Sequence, residues 1–265
     1  MDPTIADFRA ECLALSAFLS SLPTGDWSRS TVFYDWTVAD EVMHLTLIDD
    51  FGLVALKTPE AFPDLVAEVR AGQAKGIELS HRMRERYGTL APEALSAAWT
   101  AGWERLIKAF LQREAKDRIP WFGPDMSVAA FATARQMEVW AHGQDLFDLF
   151  RVRRANTDRI RAVCDLGVKT QGWSFRNRGL ERPPAPQVRL EGPSGAVWTW
   201  SEGAPERISG SAEDFALVVT QRRHVLDTGL VVEGAAARAW MDIAQCFAGP
   251  PATGPAPGVR RIDYG

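Results

Sequence analysis

Apolar positions recur at helical spacing through the first part of the chain. Phe8, Cys12, Leu15, Leu19 and Leu22 share one stripe, which Pro23-Thr24-Gly25 brings to a stop. Thr37-Val38-Ala39-Asp40 reads as the start of a second helix, running to about Leu56 ahead of Pro59. Thr37 is its N-cap, and the acids Asp40 and Glu41 sit favourably at the positive helix end. Residues 60–87 read as helical with weaker periodicity and a break near Gly72 or Gly76. Pro92 opens another helix, with Leu95, Trp99, Gly102, Leu106 and Phe110 on one side, and the run Ile119–Pro124 reads as a loop. Ser127 then caps a long helix to about Phe150. Four long antiparallel helices with modest connections predict a bundle.

Beyond that point the pattern changes. A helix is expected over 157–177, then Pro183-Pro184-Ala185-Pro186 reads as a linker. Val188–Glu191 alternates with period two, Gly192-Pro193-Ser194-Gly195 is turn chemistry, and Ala196–Trp200 is a second strand, together a β-hairpin over 187–201. Ile208-Ser209-Gly210 and Leu230–Gly234 read as further strands, with helices over 212–221 (capped by Ser211) and 235–247. The Pro/Gly tail is expected to lie over the surface. The predicted class is mainly α with a C-terminal α+β part: a helical bundle over 1–150, a bridging helix and linker over 151–182, and a small α+β domain over 183–265.

Composition narrows the field. With 46% hydrophobic and 24% charged residues the 265-residue chain is an ordinary globular sequence, not a disordered or disulfide-stapled one. No uncharged apolar run approaches the ~18 residues of a membrane span, and two acids precede the first base at the N-terminus, unlike a signal peptide. Cys12, Cys164 and Cys246 are odd in number and far apart, which suits buried thiols in a reducing compartment and makes the cytoplasm the expected location. Net charge is −8 over residues 1–150 (14 basic, 22 acidic) and +4 over 151–265 (16 basic, 12 acidic). Neither value describes a nucleic-acid-binding surface. The expected partner is a small molecule, with no nucleic acid and no membrane, for a monomer or homodimer. The basic cluster from Arg151 to Arg182 fits either a solvated face or the wall of an anion pocket.

Four histidines are the richest chemical signal. Glu138 and His142 lie four apart, so they share a helix face with Cβ atoms ~5–6 Å apart, close enough to hold one cation. Their stripe also carries Phe131, Ala134, Ala141, Asp145 and Leu149, so a carboxylate and an imidazole sit in an otherwise apolar seam. A buried carboxylate needs a partner, which Arg135 or a metal can provide. His44, on the Thr37 helix in a stripe with Glu41, Leu47, Ile48 and Phe51, can supply a third ligand across the bundle. Two imidazoles, one carboxylate and an open fourth position describe a catalytic zinc site. Spacing alone also fits an ordinary ion pair with His44 as a core histidine. His81 sits among charges, and His224 follows Arg222-Arg223 near an expected domain interface. Trp140 points to another side of its helix, whereas Trp36 and Trp121, at helix-end loops, can roof a pocket for a cofactor. No GxSxG, P-loop or GxGxxG motif is present.

The segment Trp36-Thr37-Val38-Ala39-Asp40-Glu41-Val42-Met43-His44-Leu45 resembles the W-T-V-x-x-x-x-x-H-L pattern of the mycothiol-dependent maleylpyruvate isomerase family within the DinB-like superfamily. Glu138, His142 and Asp145 are similar to its second motif, E-x-x-x-H-x-x-D. Ile208-Ser209-Gly210 with Asp214-Phe215 and Arg222 resembles the family's second domain, with Gln221 where a glycine is usual. The resemblance runs from about residue 5 to 245 and is strongest toward a subgroup described only as metal-binding. It implies a DinB-like four-helix bundle, zinc or another divalent transition metal on His44, Glu138 and His142, and a low-molecular-weight thiol such as mycothiol as cosubstrate. The implied chemistry is S-transfer or isomerisation of a small anionic electrophile. Arg222 would grip its carboxylate with help from Arg223 or the arginines of 151–161, and Asp145 would orient an imidazole or shuttle a proton. Two other accounts stay open: a hydrolase using metal-activated water, and a non-catalytic metal- and ligand-binding protein. The α+β part is expected to pack against the metal-bearing end of the bundle, with the active site at the junction.

Overall fold

The computed structural model describes residues 2–264 and is mainly α-helical with a C-terminal α+β part. Its described residues fall into two compact units, divided between Leu149 and Phe150.

In the first unit, four long helices do most of the packing: α1 (Pro3–Ser20), α2 (Val38–Lys57), α5 (Pro92–Phe110) and α6 (Val128–Leu149). α1 and α2 each touch both α5 and α6, which closes a four-helix bundle. The shorter α3 (Phe62–Gln73) and α4 (Leu79–Tyr87) fill the stretch read over 60–87, with the expected break at Gly76, which at φ +76° takes the left-handed turn between them. Start signals act as the sequence suggests. Thr37 and Asp40 form a reciprocal capping box on α2, and the Ser127 hydroxyl accepts from the Ala130 N–H on α6. The expected loop at 119–124 is narrower than read. Its flanks pair as a two-residue antiparallel ribbon, β1 (Arg118–Ile119) with β2 (Met126–Ser127).

The contact between α2 and α6 matters most for the site. The two helices run antiparallel, and their pairings follow in order: Glu41 with His142, His44 with Glu138, Asp49 with Arg135, and Gly52 against Phe131. At the Gly52 rung a Cβ atom would stand 2.8 Å from the Phe131 ring, so glycine is what lets the helices approach there. Arg135 donates to Asp49 at 3.0 Å, and both side chains are essentially inaccessible, at 1% and 0%. Burial pushes the Asp49 carboxyl up to about 6 against the pull of Arg135. Arg135 is therefore the partner of Asp49, not of Glu138.

In the second unit a four-stranded sheet has the order β4-β3-β5-β6. The expected hairpin forms as β3 (Gln187–Glu191) antiparallel to β4 (Val197–Trp200); β5 (Arg207–Ser211) runs parallel to β3, and β6 (Val231–Glu233) antiparallel to β5. Val188, Leu190, Trp198 and Ile208 form its buried face. The helix expected over 157–177 is broken into α7 (Arg161–Lys169) and α8 (Gln171–Arg176). Between them the Thr170 hydroxyl bonds back to the Leu166 and Gly167 carbonyls, a side-chain bond that competes with the helical ladder. α9 (Ala212–Val219) starts at the Ser211 cap and stops two residues short of the expected end. Gln221, at the position where the resemblance implies a glycine, has a left-handed backbone at φ +59°, and its amide donates to the Ala244 and Ala252 carbonyls. α10 (Ala235–Ile243) ends before 247 because the next residues pair elsewhere: Gln245 N–H with the Ser174 hydroxyl, Cys246 N–H with the Val219 carbonyl. The tail is pinned over this unit by donors from Trp173, Asn177 and Arg178 to carbonyls of Phe247, Gly249 and Ala252.

Arg135→Met strands Asp49 in the core and should destabilise the protein by ~3–5 kcal/mol in urea denaturation. Adding Asp49→Leu should recover most of that loss. A double variant no more stable than Arg135→Met would show that the pair is not an isolated charge balance.

Candidate metal centre

Both ligand-bearing helices are buried on most of their faces. A polar side chain there must be answered by another, and the α2–α6 pairings supply the answers. His44 Nε2 lies 3.2 Å from Glu138 Oε2, and His142 Nε2 lies 3.3 Å from the same oxygen. The two imidazole rings are 4.4 Å apart between centroids. On the far edge of its ring, His142 Nδ1 lies 2.7 Å from Glu41 Oε2, a hydrogen bond in which an ionised carboxylate accepts. Glu41 is wholly inaccessible, and its other oxygen accepts from the Thr31 hydroxyl at 3.1 Å.

This geometry fixes a charge problem. A neutral His142 with its proton facing Glu41 would turn its Nε2 lone pair toward a carboxylate oxygen; a metal cation between them, or a second proton on the ring, removes that repulsion. Burial would raise the Glu138 pKa, but its bonds and charge interactions with His142 and His44 outweigh burial and hold the carboxyl well below the usual range. Four ligands ~2.0–2.2 Å from a tetrahedral zinc stand ~3.3 Å from one another. The 3.2 and 3.3 Å separations match that edge, so the donor set fits a zinc-like cation. Glu41, His142 and Asp145 also place their donor atoms within 4.8 Å of one another. The 2.7 Å Glu41–His142 contact is a hydrogen bond, too short for two ligands of one ion. That cluster is also closed off, whereas the Glu138 side chain keeps 22% of its surface exposed, which leaves one side open to a further ligand.

An aromatic turn borders the same histidines. Ser30 and Thr37 bridge, Thr31 N–H donates to the Trp36 carbonyl, and Trp36 N–H donates to the Phe33 carbonyl. The turn needs left-handed backbone at Tyr34 (φ 51°) and Asp35 (φ 55°), neither a glycine. Such positions cost on the order of 1–3 kcal/mol and collect at functional sites. The turn sets the Trp36 ring nearly parallel to His142 at 6.0 Å and 5.2 Å from His44, with the Phe33 ring edge-on to His142 at 5.2 Å.

The remaining sequence-selected residues lie in other settings. Trp121 has its ring contacts with Phe62, Phe122 and Phe131. Trp140 is buried in the bundle and His81 is exposed. His224 Nδ1 accepts the Leu226 N–H and caps a short 3-10 turn. Arg222 and Arg223 belong to the second unit, where both are buried; Arg222 donates to the Thr220 carbonyl and Arg223 to the Arg222 carbonyl and the Tyr264 hydroxyl. Glu41 and Thr31 were not selected from sequence. Glu41 shares the His44 stripe, but a first-turn acid is already accounted for by the helix dipole.

Residues 8–147, which include all three metal-ligand candidates, match the family described as the mycothiol maleylpyruvate isomerase N-terminal domain. The chain belongs to that family. Two relatives, uncharacterised proteins from two strains of Mycobacterium tuberculosis, are each 37% identical over 254 residues, covering 95% of this chain and 98% of theirs. A crystal structure of the mycothiol-dependent maleylpyruvate isomerase aligns with 81% of this chain and 86% of its own, at 16% identity and a TM-score of 0.49. Membership relates the chain to a mycothiol-dependent isomerase. Among the described residues no helix is long and apolar enough to cross a membrane.

His44→Ala, Glu138→Ala and His142→Ala should each abolish stoichiometric zinc in metal analysis of the purified protein. Thermal melting of the parent, but not of the variants, should fall on chelation, because an ion held only by the folded state stabilises it. Full occupancy in all three variants would remove the site.

Proposed function

We propose that this protein is a metal-dependent enzyme, with zinc the first candidate, that activates a low-molecular-weight thiol such as mycothiol. The thiol would then serve S-transfer to, or isomerisation of, a small anionic electrophile. The observation that carries the reading is the convergence of two Nε2 atoms on one Glu138 oxygen with an accessible side. Family membership supports the choice of cosubstrate.

A divalent cation held by His44, Glu138 and His142 supplies Lewis acidity that lowers the pKa of a thiol or water beside it. The chain's own thiols are poor candidates for that nucleophile. Burial pushes the Cys12 and Cys164 thiols well up, and all three cysteines are buried. The nucleophile is therefore a small molecule from solution. Trp36 and Phe33 give it an apolar wall beside the histidines, which limits water and favours a flat or unsaturated partner. Asp145, buried and within 4.8 Å of the Glu41 and His142 donor atoms, is proposed to shuttle a proton. Arg222, with Arg223, is proposed to hold the anionic end of the electrophile, as their planar forks suit a carboxylate.

Cobalt-substituted protein titrated with small thiols should develop sulfur-to-metal charge-transfer absorption, and His142→Ala should not. Turnover of activated esters with no thiol-dependent spectrum would assign the hydrolytic chemistry instead; no response to either substrate class would leave a binding protein. Arg222→Lys should raise KM for an anionic electrophile severalfold with metal content unchanged, because the planar fork is lost while the charge stays. An unchanged KM would remove Arg222 from the account.

A further inference from the structure

The two histidines are held in different ways. His44 Nδ1 is buried and has no hydrogen-bond partner, so that ring is held by its Nε2 contact with Glu138 and by packing against His142 and Trp36. His142 instead has a fixed anchor in Glu41, 101 positions away in sequence and one rung along the α2–α6 contact. Glu41 itself is tethered by the Thr31 hydroxyl, which also accepts the Phe33 N–H at 3.1 Å and so belongs to the aromatic turn.

We infer that Glu41 is a positioning residue: it locks His142 in the Nδ1–H tautomer, aims its Nε2 lone pair at the Glu138 side, and through Thr31 ties the Phe33–Trp36 turn to that ring. The inference rests on the metal reading for its consequence, but not for its geometry. Glu41 lies on the Nδ1 edge of the imidazole and is fully enclosed, so it reaches neither the open side nor anything bound there. Its effect passes through His142. A carboxylate on the rear nitrogen of a ligating histidine fixes the ring and raises its basicity, and losing such a partner typically costs 10–100-fold in metal affinity. A neutral amide in its place still fits the space but presents an N–H as readily as an oxygen, so the tautomer is no longer dictated. The chain Phe33 N–H, Thr31, Glu41, His142 also gives the strained turn a reason to hold its shape. Its first member and its last are the two rings that meet edge-on at 5.2 Å.

The test compares the parent with Glu41→Gln and Thr31→Val. Zinc affinity is read by competition with a chromophoric chelator, and the His142 tautomer by long-range proton–nitrogen NMR on metal-free protein. Glu41→Gln should weaken zinc 10–100-fold and let His142 populate both tautomers, with its urea midpoint as a fold control. Thr31→Val should weaken zinc by a smaller factor, keep the tautomer and shift the Trp36 indole signal. Unchanged affinity and tautomer in Glu41→Gln overturn the inference while leaving the metal site intact. Lower affinity with an unchanged tautomer also overturns it, since Glu41 would then act only on stability. If the parent binds no zinc, the metal reading fails, and the tautomer in metal-free protein still decides the role of Glu41.

Discussion

The antiparallel contact between α2 and α6 sets the terms for the rest of the first unit. Two helices buried on most faces carry acids and bases into the bundle, and across their contact Glu41 meets His142, His44 meets Glu138 and Asp49 meets Arg135. Asp49 and Arg135 pair with each other inside the bundle. Near the other end, His44, Glu138 and His142 do not balance in the same way, because two imidazole nitrogens share one carboxylate oxygen. The register that Gly52 permits against Phe131 carries both outcomes: an ion pair at one level and three candidate metal donors at the next. A slip of one helical turn would separate all of these pairs together. Helix packing is thus the first requirement of the site's chemistry.

Much of this was legible in the sequence because the signals are local. The Thr37 capping box, the Ser127 and Ser211 caps, Pro92 and the 187–201 hairpin each depend on residues within a few positions of one another. The Glu138/His142 pair was visible for the same reason, one turn of helix. Features decided by distant neighbours were not visible. Arg135 looked available to Glu138 at three residues, yet Asp49 claims it from across the bundle. The break at Thr170 needs its hydroxyl to be turned back on α7, and the early end of α10 needs Ser174 and Val219 as competing partners. Glu41 shows the limit most clearly. A first-turn acid is fully explained by its own helix until the fold places His142 against it.

The functional reading follows from what the bundle offers and what it withholds. It offers a three-donor set, one accessible side and an aromatic wall held by a strained turn. It withholds a nucleophile, since the cysteines are buried. On the proposed reading the site activates a nucleophile that comes from outside the chain, and membership of the mycothiol maleylpyruvate isomerase family is consistent with that proposal. The rear-side carboxylate on His142 adds a level of control: ligand orientation is set from the buried edge of the ring, leaving the accessible edge for chemistry.

The most direct measurement is X-ray absorption at the zinc edge of the loaded protein, with and without a small thiol. The account predicts a four-coordinate shell of nitrogen and oxygen neighbours at ~2.0–2.2 Å, with the outer-shell pattern of two imidazoles. Adding thiol should replace one light neighbour with a sulfur at ~2.3 Å. A six-coordinate all-oxygen shell, or one with fewer than two imidazoles, would contradict the assignment of His44, Glu138 and His142 as the metal's ligands.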